Sequence, residues 1–350
     1  YDANWGEREK IDPKYDFSKP DVFPYLGTNN KPDYSGLNIS FFQHLDRVIE
    51  HLNNKEIIAH LMIYVWNKKV NWPEPESAAD DMYFDYVVKR YQAFPNLIWD
   101  ISKEALAYGR DDMGYITRRI ERLKKMDGHD RLVTVHDYNY CRAFPGKVDF
   151  ISIQEWRPNL YNEHLKVRER HPNKPVLNIE HGGYEKTMHS IFDGSYTDDV
   201  VCLDRNYQCL FAGAYSTYYW QNSAWYEVMF EPEKLDANQK PHLEYFKHFS
   251  DFMDTFQFHK LTPTQYGFTP YCLTDNTSMY IFYLPPGMIA LNGGVPDLKG
   301  KKIEIYWWDA FTGKLYEGGS RKFENGPWLG FTKHKSVTSP MTIAILKVID

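Results

Sequence analysis

No stretch of about 18 apolar residues occurs in the chain, so no segment reads as a membrane-spanning helix. Lys/Arg runs are short and the net charge is −6, which leaves no concentrated basic face for nucleic acid. The four cysteines, Cys141, Cys202, Cys209 and Cys272, include no CxxC pair, which argues against a zinc ribbon or a thioredoxin-like site. Cys202 and Cys209 fall on one expected helix with roughly 10 Å of rise between them, too far for a disulfide. No GxGxxG follows a strand-like run, no HExxH supplies a metal helix, and no GxSxG elbow accompanies the histidines. The expectation is a protein without metal or cofactor. The sequence starts at Tyr1 with neither Met nor signal peptide, and reads as beginning inside something longer.

Aromatic residues are abundant: 17% of the chain, with 27 Tyr, 21 Phe and 10 Trp. Most belong in a core, but such a surplus also suits a protein that stacks rings on sugar faces. From about residue 37 to 258, strand-like and helical runs alternate. Helical spacing marks 41–53, 77–94, 113–126, 159–170, 198–212 and 241–258, with Ser77 as an N-cap and Pro95 as a stop. Apolar, β-branched runs mark strands at 57–66, 97–102, 131–137, 148–156, 175–180 and 215–221. Successive β/α units imply a parallel sheet covered by helices.

Nearly every expected strand ends in polar, acidic or aromatic residues, and chemistry gathered at successive strand ends is how a TIM barrel builds its site. The expected architecture is a (β/α)8 barrel over residues 1–258. Six strands can be counted, so one or two are expected upstream, with Tyr1–Trp5 as the tail of one and a Pro- and Lys-rich loop to residue 36. After 259, short alternating strands at 279–284, 302–308 and 341–348 suggest a small antiparallel β-sandwich over 259–350.

Glycoside hydrolysis needs two carboxylates flanking the scissile bond. Glu104 directly follows the strand Leu97–Ser102, and Glu180 ends Val176-Leu177-Asn178-Ile179. An acid closing an apolar strand is costly to bury unless its site uses it. Counted back from a final strand at 215–221, these strands are the fourth and seventh. The arrangement resembles the clan of retaining glycosidases that place the acid/base after strand four and the nucleophile after strand seven. More narrowly, Arg90-Tyr91-x4-Asn96-Leu97-Ile98-Trp99, Pro175-Val176-Leu177-x2-Glu180 with Gly183-Tyr184-Glu185, and Tyr219-Trp220-Gln221 are similar to the apiosidase-like glycosidases. The stretch Trp307-Trp308-Asp309-Ala310-Phe311-Thr312-Gly313 resembles the β-domain that follows those barrels, which carries a collagen-binding label.

The resemblance implies Glu104 as general acid/base and Glu180 as nucleophile. It departs at Lys103, where the wider clan has an Asn that binds the sugar 2-hydroxyl. Lys103 either bears on the charge of Glu104 or points away from it, as strand neighbours do. Glu155, in Ile153-Gln154-Glu155-Trp156, is a rival acid, otherwise a hydroxyl ligand or an ion-pair partner. Asp137, Asn139, Gln154 and Gln221 are candidate hydroxyl contacts, and His136 or Asp137 is expected to face the pocket. His181 either hydrogen-bonds Glu180 or packs, and Trp66, Trp156, Trp220 and Trp225 are candidate sugar platforms. The expected protein is a secreted or periplasmic retaining glycosidase acting on a plant or algal polysaccharide. Its alternatives are a non-catalytic carbohydrate-binding protein on a degenerate barrel and an adhesion module working through the β-sandwich.

Overall fold

The structure, a computed structural model, describes residues 22–66, 70–108, 112–157, 159–181, 199–217, 242–324 and 326–349. These fall into two compact units: residues up to 154 with 173–179 form one, and 155–172, 180–181, 199–217 and 242–349 form the other.

The first unit opens with a hairpin rather than the expected loop. β1 (Tyr25–Thr28) pairs antiparallel with β2 (Lys31–Leu37), and Thr28 opposite Lys31 closes a two-residue Asn29-Asn30 turn. The strands carry no apolar run because most of the hairpin is exposed, and Pro32 fits a strand with free edges. Helix α1 (Ile39–Asn54) follows, its first turn capped by the Asn38 side chain on Ser40 N at 3.2 Å.

Then come β3 (Ala59–Val65), α2 (Ala78–Tyr91), β4 (Leu97–Lys103), α3 (Met113–Met126) and β5 (Val133–His136). β3, β4 and β5 form a parallel sheet with β4 central. β4 is buried along almost its whole length, as a strand covered on both faces must be. Ser77 caps α2 as its sequence position suggests, accepting from Asp80 N at 3.2 Å, while the Asp80 carboxylate accepts from Glu76 N at 2.7 Å. Asp80 is fully buried and also takes bonds from Tyr64, Tyr115 and Arg119, so one carboxylate ties α2, α3 and β3 together. A six-residue helix, α4 (Tyr138–Ala143), precedes β6 (Ile151–Gln154), and Ile151 N donates to Pro175 O just before β7 (Val176–Glu180).

The second unit holds α5 (Leu160–Arg170), α6 (Asp199–Phe211), β8 (Tyr215–Ser216) and α7 (Leu243–Phe256). Its sheet comprises β9 (Thr262–Thr264), β10 (Tyr271–Thr274), β11 (Met279–Leu284), β13 (Lys302–Asp309), β14 (Lys314–Lys322) and β16 (Thr342–Val348). Its order is β14-β13-β16-β11-β10-β9, antiparallel throughout. β12 (Ala290–Leu291) and β15 (Phe331–Thr332) form a separate pair.

Two cores explain why the inner strands carry apolar residues on both faces. Ile281, Tyr283, Trp308, Ile343 and Ile345 pack with Leu203, Tyr207, Phe252 and Phe256 of the helices. Their strand neighbours Tyr280, Phe282, Trp307, Ala344 and Leu346 pack with Leu291, Val295, Leu298 and Leu329 on the opposite face. All four cysteines are buried and unbridged. No helix among the described residues is long and apolar enough to cross a membrane.

Candidate functional site

Glu104 leaves β4 in a left-handed backbone conformation, φ 60°, which an ordinary side chain adopts only at a cost of about 1–2 kcal/mol. Two backbone bonds hold it there: Glu104 N donates to His136 O at 3.2 Å, and Tyr108 N donates to Glu104 O at 3.1 Å. The turn has a consequence for Lys103. Strand alternation would send neighbouring side chains apart, but Glu104 is no longer extended, and the Lys103 Nζ lies 3.7 Å from Glu104 Oε1. Both side chains are largely enclosed, at 9% and 17% exposure, so their charges meet with little solvent between them. Of the two orientations open to Lys103, the structure selects the one beside Glu104.

His136 ends β5, in register with Lys103 of β4. One of its ring nitrogens and a Glu104 carboxylate oxygen lie within 4.8 Å of each other. Its Nε2 lies 3.2 Å from Gln154 Oε1, which joins the ends of β5 and β6. Burial, reinforced by the Lys103 charge, pushes the imidazole down to about 3, so the ring is neutral at any ordinary pH. Beneath it, the fully buried Asp100 of β4 accepts from His136 N at 2.9 Å and Ser102 N at 3.1 Å, and its other oxygen meets His60 Nε2 at 2.9 Å. Asp100 fixes where β5 ends relative to β4. A carboxylate in mid-strand among Ile98, Trp99 and Ile101 is the sequence signal that betrays it.

Asp137 caps α4, accepting from Asn139 N at 3.0 Å. Burial raises its carboxyl above the usual range, and the nearby Glu104 charge adds to this, against the bonds from the α4 backbone. Trp66 is half-buried beyond β3, its ring stacked on Tyr64 at 5.8 Å and edge-on to Trp72 at 6.2 Å. Its indole Nε1 is buried without a hydrogen-bond partner among the described residues.

In the second unit, Glu155 makes the ion pair that stood among its alternatives. Its oxygens take Arg157 Nε at 2.8 Å, Arg157 Nη2 at 2.5 Å and Arg157 N at 2.9 Å. Burial works to raise its carboxyl, but the Arg157 bonds win and hold it below the usual range. Glu180 is the half-buried last residue of β7, and His181 behind it is fully buried with Nε2 2.7 Å from Thr217 O.

The residue that sequence reading missed is Arg205 of α6. Its buried guanidinium donates to His181 O through Nε, to Trp156 O through Nη2 at 2.6 Å and to Arg157 O at 3.4 Å. One planar cation thus holds the backbone next to Glu180 and next to Glu155, a use of the rigid guanidinium fork that a lysine could not repeat. Its only sequence signal is a charge amid Cys202, Leu203, Asn206 and Cys209 on a helix face that is otherwise buried. The candidates Trp220, Gln221 and Trp225 lie outside the described residues.

No curated protein matches the chain in sequence. Among solved structures it is similar to a glycoside hydrolase family 5 protein from Bacteroides vulgatus, at TM-score 0.66 and 17% identity, covering 88% of this chain and 74% of that one. A second structure, described as a glycoside hydrolase, matches at TM-score 0.61 and 17% identity over 88% of this chain and 77% of its own. At that identity the likeness concerns the fold. The sequence profile of the apiosidase-like catalytic domain matches residues 15–260, well over half of the chain. The chain therefore belongs to the apiosidase-like family of glycoside hydrolases.

Proposed function

We propose that the protein cleaves an O-glycosidic bond by double displacement, with Glu180 as nucleophile and Glu104 as general acid/base, on a (β/α)8 barrel spanning 1–258. The observation that carries this reading is the pair of half-buried glutamates, one directly after β4 and one closing β7, both inside the 15–260 family match. Glu180 attacks the anomeric carbon while Glu104 protonates the departing oxygen; Glu104 then takes a proton from the water that releases the sugar. Retention calls for carboxyl groups about 5–5.5 Å apart, against about 6.5–9.5 Å when water attacks directly. Neutral His136 and its partner Gln154 are proposed to supply hydrogen bonds to hydroxyls and Trp66 a ring face, with Asp137 and Trp156 as further contacts and buried His181 as support behind Glu180. Trp220, Gln221 and Trp225 are proposed for the rest.

Lys103 replaces the clan's Asn with a cation 3.7 Å from Glu104, which favours substrates carrying an acceptor at that point. The proposed substrate is a plant or algal polysaccharide, met outside the cytoplasm, and the 259–350 portion is proposed to be a β-sandwich. The test is proton NMR of the first-formed product on a polysaccharide the parent cleaves. The same anomer as substrate, and recovery of a Glu180→Ala variant by azide with inverted product, support the mechanism. The opposite anomer from the parent, or full activity in Glu180→Ala, overturns it.

A further inference from the structure

The turn Tyr266–Thr269 in the second unit is built against local preference. Thr269 N and Oγ1 both bond Tyr266 O, at 3.4 and 3.2 Å, so Gly267 and Phe268 are its central residues. The left-handed position is the second of these, where glycine costs nothing, yet Phe268 occupies it with φ 63° and Gly267 precedes it. Phe268 gains no burial in exchange: it is 89% exposed. The turn is nevertheless held, since Tyr266 OH donates to Asp297 Oδ2 at 3.0 Å and Gly294 N donates to Gly267 O at 3.2 Å. Strained backbone that presents an exposed ring is the pattern of a functional surface.

Gly294 joins this turn to a second exposed ring. It forms an antiparallel bridge with Trp328, which is 54% exposed, and Leu329 N bonds Gly293 O at 2.7 Å. Turn, glycine pair and Trp328 segment are thus three neighbouring backbones, which sets the ring-bearing segments about 10 Å apart at ordinary strand spacing. A side chain on Gly294 would meet only Trp328 Cε3, at 3.7 Å, whereas Gly293 is packed against Thr269 and Gly267, so the open backbone between the segments is that of Gly294. Asn292, next to Gly293 in the chain, is an exposed polar residue.

We propose that Phe268 and Trp328, with the Gly293-Gly294 backbone between them, form a glycan-binding surface separate from the hydrolytic site. The spacing suits two sugar rings of an extended chain, each laying its C–H face on an aromatic ring. The open backbone at Gly294 admits the chain, and Asn292 meets its hydroxyls. A second copy of the protein fits less well: two rings offer at most about 500 Å², short of the roughly 800 Å² per partner of a stable interface.

The experiment is affinity electrophoresis of the full chain in gels containing hydroxyethyl cellulose, arabinoxylan or polygalacturonate. At least one glycan is expected to retard the parent. Phe268→Ala and Trp328→Ala each weaken that retardation roughly fivefold, the order of one lost ring contact, and the double variant abolishes it. Phe268→Gly is expected to bind as weakly as Phe268→Ala yet melt at a higher temperature. The double variant keeps the parent's rate of hydrolysis on a short soluble fragment of that glycan, which separates this surface from the hydrolytic reading. The proposal is overturned if none of the three glycans retards the parent, or if retardation survives the double substitution. Sedimentation showing a dimer that Trp328→Ala dissociates also overturns it.

Discussion

Glu104 and Glu155 are both acids at the ends of buried strands, and the protein treats them in opposite ways. Glu155 is closed off: Arg157 satisfies both of its oxygens, backbone included, and holds it ionised. Glu104 is held by its backbone, in a conformation that disfavours it, with its carboxylate set against an enclosed lysine and close to a neutral histidine. The contrast separates a structural acid from a poised one. A strand-end glutamate whose oxygens are consumed by a neighbour stabilises a loop. One whose backbone is strained and whose oxygens are left for other groups stores free energy for a task.

Activity tests this contrast most strongly. Glu180→Ala and Glu104→Gln should each lower kcat by about 10²–10⁴-fold or more, the range for a lost covalent or acid/base group. Glu155→Gln should lower it by less than about tenfold, read by product release from the same polysaccharide. A Glu155 effect equal to that of Glu104 would erase the distinction drawn here.

Stability comes next. Arg205→Ala strands three backbone carbonyls and should cost about 3 kcal/mol in urea unfolding, with Arg205→Lys recovering only part of it.

The pH dependence of stability sharpens the picture of the β5 end. Between its ordinary value of 6.5 and about 3, the unfolded chain takes up a proton at His136 that the folded chain refuses. The stability from the neutral ring is therefore complete above pH 6.5 and falls as pH drops through that window. The loss reaches up to about 1.4 kcal/mol per pH unit. Thermal melts at pH 7.5 and pH 5 should converge in His136→Gln relative to the parent.

The smallest effect concerns strain. Glu104→Gly relieves the left-handed backbone and should raise stability by about 1 kcal/mol while removing activity. A destabilised Glu104→Gly protein would mean that the residue's side-chain contacts outweigh its strain.

Much of the fold was legible because burial leaves a periodic mark. Met113–Met126 is the expected helix to the residue, since Ile116, Ile120 and Leu123 repeat at helical spacing and Asp127-Gly128 interrupts it. Ser77 acts as its sequence position suggests, because a cap is a local bond. The β1–β2 hairpin was not legible: most of its residues are exposed, so they carry no apolar alternation, and their turn lacks the usual glycine. Helix α4 was missed because six residues are too few to show a period.

At the site, sequence determined which acids end which strands, because strand length and apolar runs are local properties. It could not say which way Lys103 points, since that depends on the left-handed turn of Glu104, fixed by a bond from its amide to the His136 carbonyl. It left Glu155 open between several roles because an ion pair is a matter of geometry as much as of proximity in sequence. Arg205 escaped notice for a similar reason: its partners are carbonyls 24 to 49 residues away, and a backbone carbonyl has no signature in sequence. Residue type and period are written along the chain, whereas the meeting of distant charges and carbonyls exists only once the chain has folded.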